Sequence, residues 1–199
     1  MGDRPLASNF ISEYFGSDEL RDLGILHVGN NVKISRNCTI VGLQNISIGD
    51  NVRIDSYNLI LAKRGTLSIG SNVHIEPFSS LVAHFGINIG DYCTISHGVR
   101  LFTASADYNG DFFTNIFPED QYQSPISGSI TLEEHVIIGA NSVVLPKVVL
   151  SEGCAIGALS LVRSSVDPWK IYAGNPLRFI RERKKNIKKL GDRLRGESV

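Results

Sequence analysis

The sequence predicts an all-β fold, a parallel β-helix of triangular cross-section, because a hydrophobic repeat recurs every six residues. Steps of six from Leu132 reach only aliphatic residues, namely Ile138, Val144, Leu150, Ile156 and Val162. Steps of six from Val136 reach small or β-branched residues, namely Ser142, Val148, Cys154, Ser160 and Val166. A period of six fits neither an α-helix nor the simple alternation of one strand. It fits short strands joined by tight corners, three strands to a coil, with every sixth side chain in a narrow core.

The same repeat begins near residue 28, with one longer corner in each early coil. Its aliphatic residues form the trios Val28, Ile34 and Ile40; Ile48, Ile54 and Ile60; Ile69, Ile75 and Leu81; Ile89, Ile95 and Leu101. The corner segments GDNV at 49–52, GSNV at 70–73 and GDYC at 90–93 supply residues that tolerate left-handed backbone angles. We therefore expect the β-helix to occupy residues 28–167.

Residues 1–27 lack the repeat and are expected to cap the open end of the β-helix. Ser17 is predicted to cap a short helix with Asp18 and Glu19 in its first turn, and Gly24 is predicted to end it. Such a cap would cover strand edges that otherwise invite aggregation.

Between Leu101 and Leu132 the repeat is interrupted by a long loop, about residues 106–129. A loop of this length in a compact domain is usually functional or disordered. Its apolar content argues against disorder, and the residues concerned are Phe112, Phe113, Ile116, Phe117 and Tyr122. We expect this loop to pack on a neighbouring subunit.

Residues 168–199 are predicted to form a C-terminal extension with a helix. Asn175 would cap the helix, Pro176 would be its first residue and Gly191 would end it. Its apolar stripe would comprise Leu177, Ile180, Ile187 and Leu190, and its other faces are basic. The basic residues fit either a solvated surface or a phosphate-binding site.

The composition excludes several classes of function. The 20 Lys and Arg residues balance the 20 Asp and Glu residues, so net charge indicates neither nucleic-acid nor membrane binding. No apolar run has transmembrane length, and Arg4, Glu13 and Asp18 are incompatible with a signal peptide. The sequence therefore predicts a cytoplasmic protein. The cysteines Cys38, Cys93 and Cys154 all occupy small inward positions of the repeat, which predicts buried structural thiols.

Three segments resemble the hexapeptide-repeat acyltransferases: HVIIGANSVVLP at 135–146, GALSLV at 157–162 and YAGNP at 172–176. The resemblance covers nearly the whole chain and implies a left-handed β-helix, although parallel crossovers are usually right-handed. It also implies a homotrimer that uses acetyl-CoA as co-substrate. Within the family, the chain is similar to sugar O-acetyltransferases and nucleotide-amino-sugar N-acetyltransferases of surface-polysaccharide biosynthesis, including that of O-antigen and lipopolysaccharide.

The resemblance implies that coenzyme A lies between two subunits along the last coils. The matching positions are Gly139, Ala140, Gly157, Ala158, Ser160, Arg163, Arg178 and Arg181. An extended pantetheine arm needs exposed backbone groups and a corner without bulky side chains, which the Gly-Ala pairs provide. A phosphate needs a cation, and Arg178 or Arg181 offers a fork of donors.

Relatives often carry a catalytic histidine where the fourth coil enters the loop, but this chain has Ala106 there. His84 is the first candidate base or substrate contact, because coil stacking should place it beside Ala104 and Ser105 at the loop entrance. Asp107 is the second candidate. The remaining histidines, His27, His74, His97 and His135, are interpreted as surface or corner residues. No histidine pair has the spacing of the zinc-binding β-helix carbonic anhydrases, so no metal is expected.

The sequence therefore predicts an acetyl-CoA-dependent acetyltransferase that acts on a sugar, favouring the amine of a nucleotide-linked amino sugar. The absence of the usual histidine favours an amine, because a sugar hydroxyl has a far higher pKa and needs a base more. The alternatives are a sugar O-acetyltransferase and a non-catalytic β-helix scaffold.

Overall fold

A computed structural model describes residues 13–115 and 117–196, without the side chains of residues 194 and 195. Ile116, the terminal residues 197–199 and the first twelve residues of the expected cap, including Arg4, lie outside the described residues. The protein is a β-solenoid of about 7 turns that fits the left-handed parallel β-helix, so the predicted fold class is confirmed.

Three sheets form the faces of the prism, here named A, B and C. Face A comprises β1 (Tyr14–Phe15), β3 (Lys33–Ser35), β6 (Arg53–Ile54), β9 (His74–Ile75), β12 (Thr94–Ile95), β17 (Ile137–Ile138), β20 (Ala155–Ile156), β22 (Lys170–Ala173) and β23 (Arg178–Glu182). Face B comprises β2 (His27–Val28), β5 (Ile46–Ile48), β8 (Leu67–Ile69), β11 (Ile87–Ile89), β16 (Ile130–Leu132) and β19 (Val149–Leu150). Face C comprises β4 (Thr39–Val41), β7 (Leu59–Leu61), β10 (Ser80–Val82), β13 (Arg100–Phe102), β18 (Val143–Val144) and β21 (Leu161–Val162).

The six-residue repeat forms the core as predicted. Parallel pairing keeps the aliphatic residues of successive coils in register, as in Ile54 with Ile75 and Ile138 with Ile156. Ile75, Ile95, Leu101 and Ile138 are fully buried. Cys93 and Cys154 are also buried, and their burial raises the pKa of both thiols to about 12. These two thiols therefore stay protonated at neutral pH and serve packing.

The N-terminal helix α1 (Ser17–Asp22) forms, but Ser17 does not cap it. Gly16 is the N-cap, and its N–H donates to the Glu19 carboxylate over 3.0 Å. The Ser17 hydroxyl instead accepts from the Val32 N–H at 2.9 Å, which ties the helix to the first coil. Gly24, with φ of +90°, follows the helix end as predicted.

The C-terminal prediction is wrong in its boundaries. Residues 175–182 do not form a helix, because β23 pairs antiparallel with β22 and covers the last edge of face A. The helix α2 (Asn186–Arg195) begins later and ends at Gly196, so Gly191 lies within it. The predicted stripe is divided accordingly, since Leu177 precedes β23, Ile180 lies on β23 and Ile187 and Leu190 lie on α2.

Candidate active site

A row of small residues crosses face A at the edge it shares with face C. The row comprises Ser96, Gly139, Gly157 and Ala173, each directly after the inward-facing residue of β12, β17, β20 or β22. A Cβ on Gly139 would lie 2.5 Å from the Ala158 nitrogen, and one on Gly157 would lie 2.8 Å from the Ala173 Cβ. Glycine is therefore required at both positions, because the corners of successive coils pack against each other.

The next residue at each corner presents an unused backbone donor. The N–H groups of Gly139 and Gly157 donate along the ladder to Ile156 and Tyr172. In the described part of the chain, the N–H groups of Ala140 and Ala158 donate to no acceptor. Ala158 is exposed and Ala140 is half-buried, so both corners lie at the surface. Free N–H groups beside a surface without bulky side chains suit the carbonyl oxygens of an extended amide chain.

Ser160 supports this corner from inside. It is only 3% exposed, and its hydroxyl donates to the Gly157 carbonyl over 2.6 Å and accepts from the Gly174 N–H over 2.9 Å. The Ser142 hydroxyl also donates to the Gly157 carbonyl, at 3.0 Å. The side chain of Ser160 therefore fixes the corner and leaves any contact with a coenzyme to its neighbours.

Arg178 places a positive charge at the end of the row, next to Ala173. The residue lies on β23, where it pairs with Ala173, and its side chain is exposed. Arg181 pairs with Ile171 on the same hairpin and is also exposed. Both arginines thus lie on a strand, not in a helix as predicted, because β23 is hydrogen-bonded to β22.

Arg163 lies away from the row, at the opposite end of β21. It lines a cleft of about 550 Å³ between the loop and the last coils. The cleft is also lined by Ser105, Tyr108, Leu145 and Leu161. The sequence grouped Arg163 with the Gly-Ala corners, but the width of face C separates the two within one subunit.

His84 lies in the coil that packs against the start of the loop. Val82 pairs with Phe102, and the Phe85 N–H donates to the Thr103 hydroxyl over 3.1 Å. The imidazole is half-buried, and its Nδ1 is buried without a hydrogen-bond partner among the described residues.

Asp107 organises the start of the loop. Its Oδ1 accepts from the Asn109 N–H at 3.0 Å, and its Oδ2 accepts from the N–H groups of Gly110, Asp111 and Phe112 at 3.1, 2.8 and 3.0 Å. These donors, first of all the N–H of Asn109, hold the pKa of the carboxyl below its usual value. A carboxylate stabilised in this way is a weak proton acceptor.

The loop leaves the coil after Phe102 and returns at Ile130. Its base is a two-residue antiparallel ladder between β14 (Ala104–Ser105) and β15 (Ile126–Ser127). Several aromatic side chains lie on its surface, with Tyr108 89% and Phe117 90% exposed. Exposed aromatic residues in such number mark an interaction surface.

The other histidines have different surroundings. His74 shares a 2.7 Å hydrogen bond with Asp55, and the His135 ring stacks on Tyr92 with a centroid distance of 5.1 Å. His27 is exposed on the first coil. His97 was predicted to be an ordinary surface residue, but the structure places it directly after Ser96, at the end of the row of small residues. The repeat indicates that His97 and Ala140 occupy equivalent corner positions, because His97 follows Ile95 by two residues just as Ala140 follows Ile138 by two.

These features define a hexapeptide-repeat acyltransferase, and the chain belongs to that family. The dTDP-4-amino-4,6-dideoxy-D-glucose acyltransferase of Escherichia coli is 38% identical over 177 residues, which are 89% of this chain and 92% of that protein. The galactoside O-acetyltransferase of Escherichia coli K12 is 29% identical over 157 residues, 79% of this chain and 54% of that protein. No family model matches the chain.

Solved structures agree with these relatives. AntD, an N-acyltransferase from Bacillus cereus, in complex with dTDP and 3-hydroxybutyryl-CoA, is 37% identical with a TM-score of 0.88, over 92% of this chain and 97% of AntD. A variant of AntD in complex with dTDP-4-amino-4,6-dideoxyglucose and coenzyme A is 36% identical with a TM-score of 0.85, over 92% and 98% of the two chains. The chain is therefore an acyltransferase that uses a coenzyme A thioester, and the scaffold alternative is wrong.

The described residues contain no group of three or more His, Cys, Asp or Glu side chains placed to hold a metal ion. None of the helices in the described ranges has the length and apolarity needed to cross a bilayer.

Proposed function

We propose that the protein transfers an acetyl or related acyl group from coenzyme A to the amine of a dTDP-linked 4-amino-4,6-dideoxy sugar. The observation that carries the proposal is the similarity to dTDP-amino-sugar N-acyltransferases over nearly the full length of both chains, with a TM-score of 0.88 for AntD.

The coenzyme binds along the row of small residues. Gly139 and Gly157 keep this surface free of side chains. The free N–H groups of Ala140 and Ala158 bind carbonyl oxygens of the pantetheine arm or of the thioester. Ser160 fixes the corner beneath them. Arg178 and Arg181 are exposed beyond Ala173, where their guanidinium groups bind phosphate.

The reaction is an aminolysis of the thioester. The sugar amine attacks the thioester carbonyl carbon, a C–N bond forms, and the C–S bond breaks with release of coenzyme A as the thiol. The amine loses one proton, which a base or the departing sulfur takes up. Backbone donors near the carbonyl oxygen stabilise the tetrahedral oxyanion, which is usually a large contribution in acyl transfer.

His84 and Asp107 act on the acceptor side. The half-buried imidazole of His84, beside the start of the loop, contacts the sugar or its amine through its accessible edge. Asp107 shapes the loop around the acceptor, since its carboxylate already binds backbone N–H groups. Arg163, in the cleft of about 550 Å³ between the loop and face C, binds a phosphate of an anionic substrate.

The proposed assembly is a homotrimer, because neither half of the site is complete in one subunit. The row of small residues and the loop cleft occupy opposite ends of face C. A neighbouring subunit that covers the exposed Tyr108 and Phe117 side chains would bring its own row toward the cleft.

The test is release of coenzyme A thiol from acetyl-CoA and 3-hydroxybutyryl-CoA with three acceptors: dTDP-4-amino-4,6-dideoxyglucose, dTDP-glucose and a free galactoside. We expect turnover with the amino sugar alone and an N-acyl product by mass spectrometry. Turnover with dTDP-glucose or the galactoside, and none with the amino sugar, would establish O-acylation instead and refute the proposal.

A further inference from the structure

Side-chain size changes abruptly along the corner between faces A and C. Successive coils place Pro77, His97, Ala140 and Ala158 at equivalent positions, and backbone hydrogen bonds link them. The Gly98 N–H donates to the Pro77 carbonyl over 3.0 Å, the Asn141 N–H to the His97 carbonyl over 2.8 Å, and the Leu159 N–H to the Ala140 carbonyl over 2.9 Å. The low surface of the last coils therefore ends at the His97 side chain.

The His97 backbone is fixed and its imidazole is free. Its N–H donates to the Glu76 carboxylate over 3.0 Å, so this corner, unlike those at Ala140 and Ala158, has no unused N–H group. The ring packs against Phe78 with a centroid distance of 5.1 Å. The residue is exposed, and its ring nitrogens bond to no side chain or backbone atom in the described ranges. Phe78 in turn stacks on Tyr57 at 5.0 Å, which forms an aromatic wall behind the imidazole.

The row has chemically different ends. Ser96 and His97 lie at one end and Arg178 at the other, with Gly139, Gly157 and Ala173 between them. Four inter-strand steps of about 4.8 Å separate the ends by roughly 19 Å. Acetyl-CoA also has two chemically different ends, with phosphates at one end and the thioester at the other. Phosphates at Arg178 place the thioester at the imidazole end.

We propose that His97 is a catalytic residue that contacts the reacting thioester and amine. This inference rests on the proposed function and names a residue of the same site. The neutral imidazole accepts the proton that the amine loses as its nitrogen bonds to the carbonyl carbon. The imidazolium then gives that proton to the coenzyme sulfur as the C–S bond breaks, so the histidine is regenerated. His97 supplies the acid–base function for which the chain has no histidine at position 106.

A first test needs no acceptor. Diethyl pyrocarbonate modifies accessible imidazoles, and peptide mass spectrometry reports the modified fraction of each histidine. Saturating acetyl-CoA should protect His97 and leave the exposed His27 as reactive as before. Equal modification of His97 with and without acetyl-CoA would place the thioester elsewhere and overturn the proposal, whichever acceptor the enzyme uses.

A second test measures catalysis. With the dTDP-amino sugar, His97→Asn should lower kcat by roughly 10²- to 10⁴-fold, the usual range for losing a positioned acid–base group, with unchanged affinity for coenzyme A by calorimetry. His27→Asn is the control and should match the unchanged protein. In His97→Ala, added imidazole should restore part of kcat, which a purely structural residue would not show.

The outcomes separate the two proposals. A wild-type enzyme that is inactive on the amino sugar refutes the proposed function, while protection of His97 by acetyl-CoA still stands or falls by itself. A His97→Asn variant with normal kcat, or with only a raised KM, refutes catalysis by His97. Circular dichroism of the exposed-site variants checks that the solenoid is intact.

Discussion

At the scale of single residues, small size at the corners is required for packing and, in the proposed site, for coenzyme binding as well. Gly157 has no room for a Cβ, whereas Ala158 is exposed and has ample space outward. The solenoid can therefore accept a large residue at 158, although a ligand lying on the row cannot. This contrast allows binding to be disrupted without disrupting the fold.

Ala158→Trp should raise the Kd for coenzyme A by about tenfold or more, equivalent to about 1.4 kcal/mol. The indole would occupy the low surface and cover the free N–H group. Calorimetry with coenzyme A measures the effect, and Lys33→Trp, an exposed change on β3 at the far end of the same face, is the matched control. An unchanged Kd in the Ala158→Trp variant would show that the coenzyme does not use this row.

Asp107→Asn should loosen the loop and lower kcat/KM for the acceptor between about tenfold and 100-fold, the cost of a misplaced reacting group. An amide oxygen accepts more weakly than a carboxylate, and the N–H groups of residues 109–112 should exchange faster with deuterium. Asp111→Asn, an exposed neighbour, is the control. Normal exchange and normal kinetics in Asp107→Asn would contradict the organising role.

The same carboxyl predicts a pH dependence of defined sign. Its pKa is lowered in the folded protein, so its contribution to loop order is present above the unfolded pKa, about 3.9. That contribution is lost as the pH falls through the lower folded value. Deuterium exchange of residues 109–112 should therefore be unchanged between pH 5 and 8 and should increase only in stronger acid, after correction for intrinsic rates.

At the scale of elements, Arg183 makes several hydrogen bonds between the C-terminal segment and the solenoid. The Arg183 guanidinium donates to the carbonyls of His135, Gly153 and Cys154 at 2.8, 2.9 and 3.2 Å. Its partial burial lowers its pKa. Gly153 leaves space for the Trp169 ring, and Gly191 of α2 lies against His135, where a Cβ would be 3.0 Å from the ring. The helix thus packs on the corner between faces B and A, away from the row.

Arg183→Met should reduce the free energy of unfolding by about 1–3 kcal/mol, since buried carbonyls would lose a charged donor. Urea denaturation measures the change, and Lys184→Met, at the exposed adjacent position, should alter stability little. Equal stability of the two variants would mean that the guanidinium contributes nothing to docking of the segment. Coenzyme binding should be retained in both, because the row lies at another corner.

At the scale of the whole molecule, the solenoid is a triangular prism whose three faces are sheets of mainly parallel strands. This shape separates the two halves of the proposed site. The loop and its cleft are at one edge of face C, and the row of small residues is at the other. Association of identical subunits is the simplest way to bring the halves together, because a closed cyclic arrangement repeats the same contact for each copy.

Light scattering at micromolar concentration should therefore give the mass of a trimer. Phe117→Ser together with Tyr108→Ser should weaken association and lower activity in parallel, because these exposed rings lie on the loop. Lys63→Ser, an exposed change on an early coil, controls for the loss of a large side chain. A stable, active monomer would contradict the shared site.

The solenoid, its register and the Gly-Ala corners could all be predicted from the amino-acid sequence. A period of six is a local property, and each inward aliphatic residue of one coil fits the one beneath it wherever the phase is kept. It also located the loop, and counting from in-phase residues predicted that His84 lies beside Ala104.

Elements whose conformation depends on distant partners could not be predicted in this way. The segment from Arg178 to Glu182 has helix-like apolar spacing, yet it forms a strand because the last edge of face A offers it backbone partners. Arg163 follows the Gly-Ala corner closely in sequence but lies across face C. The extended strand β21 runs between the corner and Arg163 and places them on opposite sides of that face. His97 and Ala140 are far apart in sequence with the whole loop between them, and they meet because β12 pairs with β17. Coil stacking, which joins residues through backbone hydrogen bonds and not through sequence distance, is the physical reason for that row.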